Sequence, residues 1–192
     1  MKAMRELLID EMKDLYDAEK QLLKALPRMA KASSNEELSQ AFTEHLDQTR
    51  GHVERIERAF EMLGAKVKGR SCAAMKGLVE EAQEMVKEDM DEPLLDSAII
   101  CSAQKVEHYE IAGYGTLAAW AKQLGLNDVA GLFHQTLDEE KAADEKLTEV
   151  NSTILSEMHM EASEAEGHPA VAHRKAASAK AGGDSRTRRR TS

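Results

Sequence analysis

The sequence is poor in the residues that interrupt helices and cross-link chains. Its 192 residues include three prolines, two cysteines and only 4% aromatic residues. So few prolines permit long uninterrupted helices. Cys72 and Cys101 have no CxxC spacing, which argues against a disulfide framework and a rubredoxin-type domain. Free thiols are typical of a reducing compartment, so the sequence predicts a cytoplasmic protein.

Long apolar runs are also missing. No stretch approaches 18 consecutive apolar residues, and acidic residues interrupt the opening MKAMRELLIDEMKDLY, so we expect neither a membrane span nor a signal peptide. The net charge is −9, and basic residues concentrate after Met160, so the remainder is still more acidic. Such a body does not resemble a nucleic-acid surface, although RTRRR at 186–190 allows weak contact with one; a solubilising tail fits as well.

The apolar residues that are present recur with a helical period in four long segments. Helices A to D are expected at about 4–32, 38–63, 93–123 and 128–156, with stops at Gly64 and Gly125 and a capping box of Ser34 and Glu37. A shorter helix is expected at 73–90, within the long connection between helices B and C. The sequence therefore predicts an all-α antiparallel four-helix bundle with one crossover over residues 1–158 and a disordered basic tail over 159–192.

Polar residues on the inward faces of these helices cluster near mid-helix. Glu19 and His52 have the same sequence separation, 33 residues, as Glu107 and Glu140. Equal separations across two tight hairpins place each pair at a similar height in the core. The candidate ligands are Glu19 on helix A, His45 and His52 on helix B, Glu107 and Glu110 on helix C, and Glu140 and Asp144 on helix D; Gln48 and Glu11 are weaker candidates.

Several buried carboxylates with one or two histidines form a donor set that can bridge two metal ions: carboxylate oxygens suit hard divalent cations, and imidazole suits iron, zinc or copper. Without cations, carboxylates at one level would repel one another and take up protons. Other interpretations remain: Glu107 and Glu110 can pair with Lys or Arg at a dimer face, and the histidines can be ordinary core residues. Tyr16, Tyr109 and Tyr114 are either hydrogen-bond donors beside the site or packing residues.

Four segments carry a resemblance to a known family. They are AEKQLLKALPRMA (18–30), EHLDQTRGHVERIE (44–57), AQKVEHYEIAGYGTL (103–117) and TLDEEKAADEKLT (136–148). Together they resemble the YciE/YciF family of ferritin-like stress proteins over about residues 5–150. The resemblance implies a ferritin-like bundle related to rubrerythrin and the alternative oxidases, a homodimer and a di-iron-type centre.

The sequence departs from the usual ferritin-like pattern, in which two helices each supply Glu-x-x-His. Helix C instead has Glu107-x-x-Glu110, helix D supplies only Glu140 and Asp144 as candidates, and Gln48 stands where relatives often have a carboxylate. Two main functions stay open, with mineral storage in a hollow shell and a manganese catalase-like reaction as further alternatives. One is a di-metal protein that oxidises Fe(II) or reduces dioxygen or peroxide with an unknown electron donor, and the other is a non-catalytic dimeric stress protein with a structural metal site and protein partners.

Overall fold

A computed structural model describes residues 1–167, which form five helices and no strand. They are α1 (Lys2–Ala32), α2 (Glu36–Met62), α3 (Ala73–Met85), α4 (Glu92–Gln123) and α5 (Asn127–Gly167). The all-α fold is confirmed, and α3 ends five residues before the predicted limit. Helix α5 continues beyond Ser156 into the segment predicted as tail; residues 168–192 of that tail lie outside the described residues.

The four long helices pack as a ring in which each helix has two main neighbours. Helix α1 packs on α2 and α4, and α5 packs on α2 and α4. Leu15 lies beside Gly113 and Ser34 beside Asp96, so α1 and α4 run antiparallel. Helix α4 therefore starts at the end of the bundle where α2 also starts. The connection that holds α3 must return along the bundle, which is the predicted single crossover.

Glycines end the two helices where the sequence predicts that they stop. Gly64 follows α2 with φ 59°, and Gly125 follows α4 with φ 75°. This left-handed conformation is costly for residues with a Cβ and common at helix C-termini. Pro27, by contrast, lies inside α1, which continues through it to Ala32.

The predicted capping box is wrong. The N-cap of α2 is Asn35, whose side-chain oxygen accepts a hydrogen bond from the Leu38 N–H. Ser34 instead binds Asp96 of α4, a side chain that is only 1% exposed. Asp96 accepts hydrogen bonds from the Ser34 N–H at 3.0 Å, the Ser34 hydroxyl at 2.6 Å and the Asn35 N–H at 2.8 Å. A residue of α4 thus fixes the turn between α1 and α2.

Replacing Asp96 with alanine is expected to lower the free energy of unfolding by about 2 kcal/mol, because buried donors lose a charged acceptor. Urea denaturation measures the change. Asp91→Ala is the matched control, since Asp91 is the exposed N-cap of α4 and its side chain makes no capping hydrogen bond. Equal effects of the two substitutions would contradict the role given to Asp96.

The core consists of two apolar halves separated by a polar layer. One half surrounds the turn between α4 and α5 and includes Phe60, Leu117 and Phe133. The other surrounds the turn between α1 and α2 and includes Leu26 and Ile100. Between these halves all four long helices contribute buried polar side chains. No helix within residues 1–167 is long and apolar enough to cross a bilayer.

Candidate metal centre

The polar layer contains six buried residues that can each supply a metal ligand. Each is at most 5% exposed, and all six were predicted as candidates. They are Glu19 of α1, His45 and His52 of α2, Glu107 and Glu110 of α4, and Glu140 of α5. The two histidines lie on one face of α2, so the layer has two imidazoles beside four carboxyl groups.

The six residues form two groups that share Glu140. In each group, one potential ligand atom per residue lies within 4.8 Å of the others: His45, Glu107, Glu110 and Glu140 in the first, and Glu19, His52 and Glu140 in the second. Glu140 directs a different oxygen to each histidine. Its Oε2 is 3.6 Å from His45 Nε2, and its Oε1 is 2.9 Å from His52 Nδ1. One carboxylate is therefore placed between two possible ion positions.

Most ligand atoms of the layer have no hydrogen-bond partner. They are Glu19 Oε2, His45 Nε2, His52 Nδ1, Glu107 Oε2, and both carboxyl oxygens of Glu110 and Glu140. His52 Nδ1 and Glu140 Oε1 lie 2.9 Å apart and form an ion pair when His52 is protonated. Buried polar atoms without partners are rare, because each costs desolvation free energy. Their concentration here fits a cation held between them, and the donor set suits iron or manganese.

Hydrogen bonds outside the layer set which nitrogen each histidine turns inward. His45 Nδ1 lies 3.1 Å from Gln48 Oε1, and His52 Nε2 lies 2.9 Å from Glu139 Oε2. An amide or carboxylate oxygen accepts, so these nitrogens carry the proton. His45 thus presents Nε2 to the layer and His52 presents Nδ1. Such outer hydrogen bonds are usual for histidines that bind metal.

The network around His52 contains two residues that the sequence reasoning missed. Arg55 donates to both Glu139 oxygens, at 2.9 and 2.7 Å, and to the Thr136 hydroxyl at 2.9 Å. These contacts, chiefly with Arg55, hold the pKa of Glu139 below its usual range despite partial burial. Arg55 lies one helical turn from His52, and this spacing is the one feature of the sequence that could have indicated its contact with the network. Glu139, next to Glu140, looks in the sequence like a solvent-facing residue.

The remaining candidates lie outside the two groups. Asp144 accepts a hydrogen bond from Gln104 at 3.0 Å and lies 3.4 Å from the exposed His108. Gln48 is exposed, so its predicted inward position is wrong, although it touches His45. Glu11 is only partly buried. The histidines of α5, His134 and His159, are exposed.

The three tyrosines differ in their relation to the layer. Tyr114 is fully buried and donates its hydroxyl hydrogen bond to Glu19 Oε1. Tyr16 donates to Glu57 at 2.7 Å, and Tyr109 donates to Asp14 at 2.5 Å. Tyr114 also packs in the apolar half that contains Phe133. It therefore combines the packing role and the hydrogen-bonding role that the sequence left open.

The electrostatics of the layer favour bound protons. Burial, together with the charge of Glu140, raises the pKa of Glu107 well above its ordinary value, and burial with the charges of Glu19 and Glu140 does the same for the pKa of Glu110. Burial lowers the pKa of His52, but contacts with Glu140 and Glu19 outweigh it and raise the pKa to about 10. The folded protein without metal thus holds protons that the unfolded chain releases.

This proton excess gives stability a definite pH dependence. For His52, stabilisation is complete below its ordinary pKa of 6.5 and is lost as pH rises through about 10. Since the raised pKa values of Glu107 and Glu110 act in the same direction, we expect the melting temperature of chelator-treated protein to fall across this range. Calorimetry at several pH values measures it. His52→Gln should flatten the slope and the exposed His134→Gln should not; an unchanged slope in both would contradict the account.

Comparison with known proteins places the chain in a family. Residues 3–160 match DUF892, described as a domain of unknown function. The chain is 50% identical over 151 residues to the protein YciF of Escherichia coli K12, covering 78% of this chain and 91% of that protein. The chain belongs to the DUF892 family. The predicted resemblance to the YciE/YciF family is confirmed.

Solved structures of similar proteins have the same fold. The crystal structure of the E. coli stress protein YciF superimposes with a TM-score of 0.78 at 48% identity, covering 81% of this chain and 99% of that one. YcfI of Rhodopseudomonas palustris superimposes with a TM-score of 0.74 at 47% identity, covering 76% of this chain and 92% of that one. A Xanthomonas campestris protein superimposes with a TM-score of 0.65 at 22% identity, covering 86% of this chain and 99% of that one, and this likeness shows the fold alone. All six donors of the layer lie within the span matched by the DUF892 family.

Proposed function

We propose that this protein binds two iron ions in the polar layer and couples Fe(II) oxidation to the reduction of dioxygen or peroxide during stress. The observation that carries the proposal is the shared Glu140 carboxylate between two groups of buried donors without hydrogen-bond partners. A pair of cations would satisfy these atoms and remove the repulsion among the carboxylates. The relation to the stress protein YciF supports the physiological setting.

The chain divides naturally into two sets of ligands. His45, Glu107 and Glu110 would hold one ion, and Glu19 and His52 would hold the other, with Glu140 between them. Carboxylate and imidazole donors suit iron, and manganese is the alternative that the same donors accept. Two bound ions of this kind would supply electrons to an oxidant.

The surrounding residues position these ligands and exclude water. The Tyr114 hydroxyl orients Glu19, and the ion pair of Arg55 with Glu139 orients His52 and keeps a proton on its Nε2. The two apolar halves enclose the layer from both ends of the bundle. In a water-poor core the carboxyl groups of Glu107 and Glu110 hold protons until a cation replaces them.

Electrons must come from Fe(II) itself or from an external donor. The chain has no paired cysteines of the rubredoxin type: Cys72 is buried beside Tyr109, and Cys101 is exposed. A separate donor protein would have to dock on the bundle.

A second function is supported by the charge balance around His52. With a pKa of about 10, His52 is a cation that partly neutralises Glu19 and Glu140 without metal. Such a layer is compatible with a non-catalytic homodimeric stress protein that has a structural metal site and acts through protein partners.

Elemental analysis tests the proposal first. Protein purified under reducing conditions should contain about two equivalents of iron or manganese per chain, and a Glu107→Ala/Glu140→Ala variant should contain almost none. Aerobic addition of Fe(II) to the metal-free protein, followed by absorbance and oxygen consumption, then tests turnover. Stable binding without faster Fe(II) oxidation than in buffer would favour the structural function. Equal substoichiometric metal in both proteins would contradict the metal site.

A further inference from the structure

A gap lies along the contact between α2 and α5, and it leads to the polar layer. We call this contact the α2–α5 seam. The cavity in the seam has a volume of about 120 Å³, and its inner end is formed by His45 and Glu107. Small side chains leave the gap: Ala41 on α2, and Ala142 and Ala143 on α5. Exposed Glu44 and Gln48 stand at its outer end.

The two residues at the inner end of the cavity carry unsatisfied ligand atoms. His45 is 5% exposed and Glu107 is 2% exposed. His45 Nε2 and Glu107 Oε2 have no hydrogen-bond partner, and the Glu107 Oε1 atom is 3.5 Å from His45 Nε2. A cation that reached the end of this cavity would therefore lie next to two residues of the first ligand group.

The same seam is closed farther along α2, at His52. Glu139 contacts His52 Nε2, and Arg55 spans from α2 to Glu139 and Thr136 on α5. His52 is fully buried behind this network. Access through the seam therefore exists beside His45 and is blocked beside His52, so the two ligand groups differ in their exposure to solvent.

The charge at the outer end suits a cation. Lys146 is the basic residue there, and it forms an ion pair with Glu37. The carboxylates of Glu37, Glu149 and Glu44 together raise the pKa of Lys146, the hydrogen bond with Glu37 having the largest effect. Three carboxylates around one ammonium group leave a net negative charge, which raises the local concentration of cations.

We infer that the α2–α5 seam is the path by which divalent transition-metal ions enter the polar layer, arriving first at His45 and Glu107. This inference rests on the proposed metal binding and adds a route to it. The walls of the path are the alanines at 41, 142 and 143, and its attraction for cations comes from Glu37, Glu44 and Glu149. The alanines and carboxylates of the seam are not metal ligands. Substitutions at these positions can therefore block the route and leave the ligands intact.

Filling the seam tests the route. Ala143→Leu adds three carbon atoms to the wall, and Ala119→Leu makes the same change at an exposed position of α4 outside the seam. Uptake of Co²⁺ by the metal-free protein is followed by stopped-flow absorbance, with final stoichiometry from equilibrium titration. We expect Ala143→Leu to slow uptake at least about tenfold without changing the stoichiometry, as blocked access does, and Ala119→Leu to leave the rate unchanged. Ala41→Leu fills the opposite wall and should reproduce the effect if Ala143→Leu unfolds the protein.

A charge reversal separates cation guidance from simple obstruction. Glu44→Lys should slow Co²⁺ uptake several-fold at low ionic strength and much less in high salt, because screening removes the attraction. Normal stoichiometry with unchanged rates in Ala143→Leu and Ala41→Leu would overturn the route alone. Failure of the wild-type protein to bind Co²⁺ would overturn the proposed metal site and the route with it.

Discussion

Replacing Glu140 with alanine is expected to remove most bound metal, although five of the six buried donors remain. Glu140 is the one residue that belongs to both ligand groups, and its two oxygens face different histidines. Loss of outer hydrogen bonds alone weakens metal sites 10- to 100-fold, so loss of a direct ligand to both positions should weaken binding by at least about 100-fold. Equilibrium titration with Co²⁺ or Mn²⁺ measures the affinity of each position.

The same helix offers a matched control for this substitution. Asp138→Ala removes an exposed carboxylate from α5, two residues from Glu140, and should leave both affinities unchanged. Circular dichroism establishes that each variant remains helical. Wild-type affinity in Glu140→Ala, or an equal loss in Asp138→Ala, would contradict a shared carboxylate at the centre of the layer.

The second large effect concerns Glu110, which should change stability in opposite directions with and without metal. Both of its carboxyl oxygens are buried without a partner, and burial raises its pKa well above the ordinary value. At pH 8 the metal-free core keeps this carboxyl group neutral only by binding a proton, whereas glutamine is neutral without that cost. We expect Glu110→Gln to raise the free energy of unfolding of the metal-free protein at pH 8 by about 1 to 3 kcal/mol.

With metal present, the wild-type protein should be more stable than Glu110→Gln. A ligand at 1,000 times its dissociation constant stabilises a protein by about 4 kcal/mol, and weaker binding forfeits much of that gain. Urea denaturation with chelator and then with excess Mn²⁺ measures both states. Glu145→Gln, at an exposed position, is the control and should leave the free energy of unfolding unchanged both with chelator and with Mn²⁺. A metal-free Glu110→Gln variant that is less stable than wild type would contradict the view that metal offsets the charge of this residue.

The polar layer could be predicted from the sequence because helical geometry relates its residues simply. His45 and His52 are seven residues apart, almost two full turns, so they share a face of α2. Gln48 follows His45 by three residues and stops roughly 60° short of a full turn, which places it at the exposed edge. Asp144, one turn beyond Glu140 along α5, is only partly buried and accepts a hydrogen bond from Gln104 instead. A small angular difference thus separates a buried donor from an exposed neighbour.

Contacts that depend on the spacing between helices could not be predicted in this way. Arg55 reaches Glu139 across the α2–α5 seam, and Asp96 reaches the turn between α1 and α2 from another helix. Each pair is far apart in sequence, and each involves charged residues that would suit a solvated surface equally well. Ser34 is an example: its local pattern fits a capping box, but the distant Asp96 supplies a stronger acceptor.

The division of the core into two apolar halves has a consequence for the order of folding. Each half contains one of the two tight turns, so each can begin to form from contacts that are local in sequence. The polar layer gains little from early assembly, since without metal its buried carboxyl groups must take up protons and many of its ligand atoms have no hydrogen-bond partner. We therefore expect the layer to assemble after the folding transition state, so that bound metal slows unfolding and leaves the folding rate almost unchanged. Stopped-flow folding and unfolding with and without Mn²⁺ measures both rates. Faster folding in the presence of Mn²⁺ would contradict this expectation and would make the layer part of the folding nucleus.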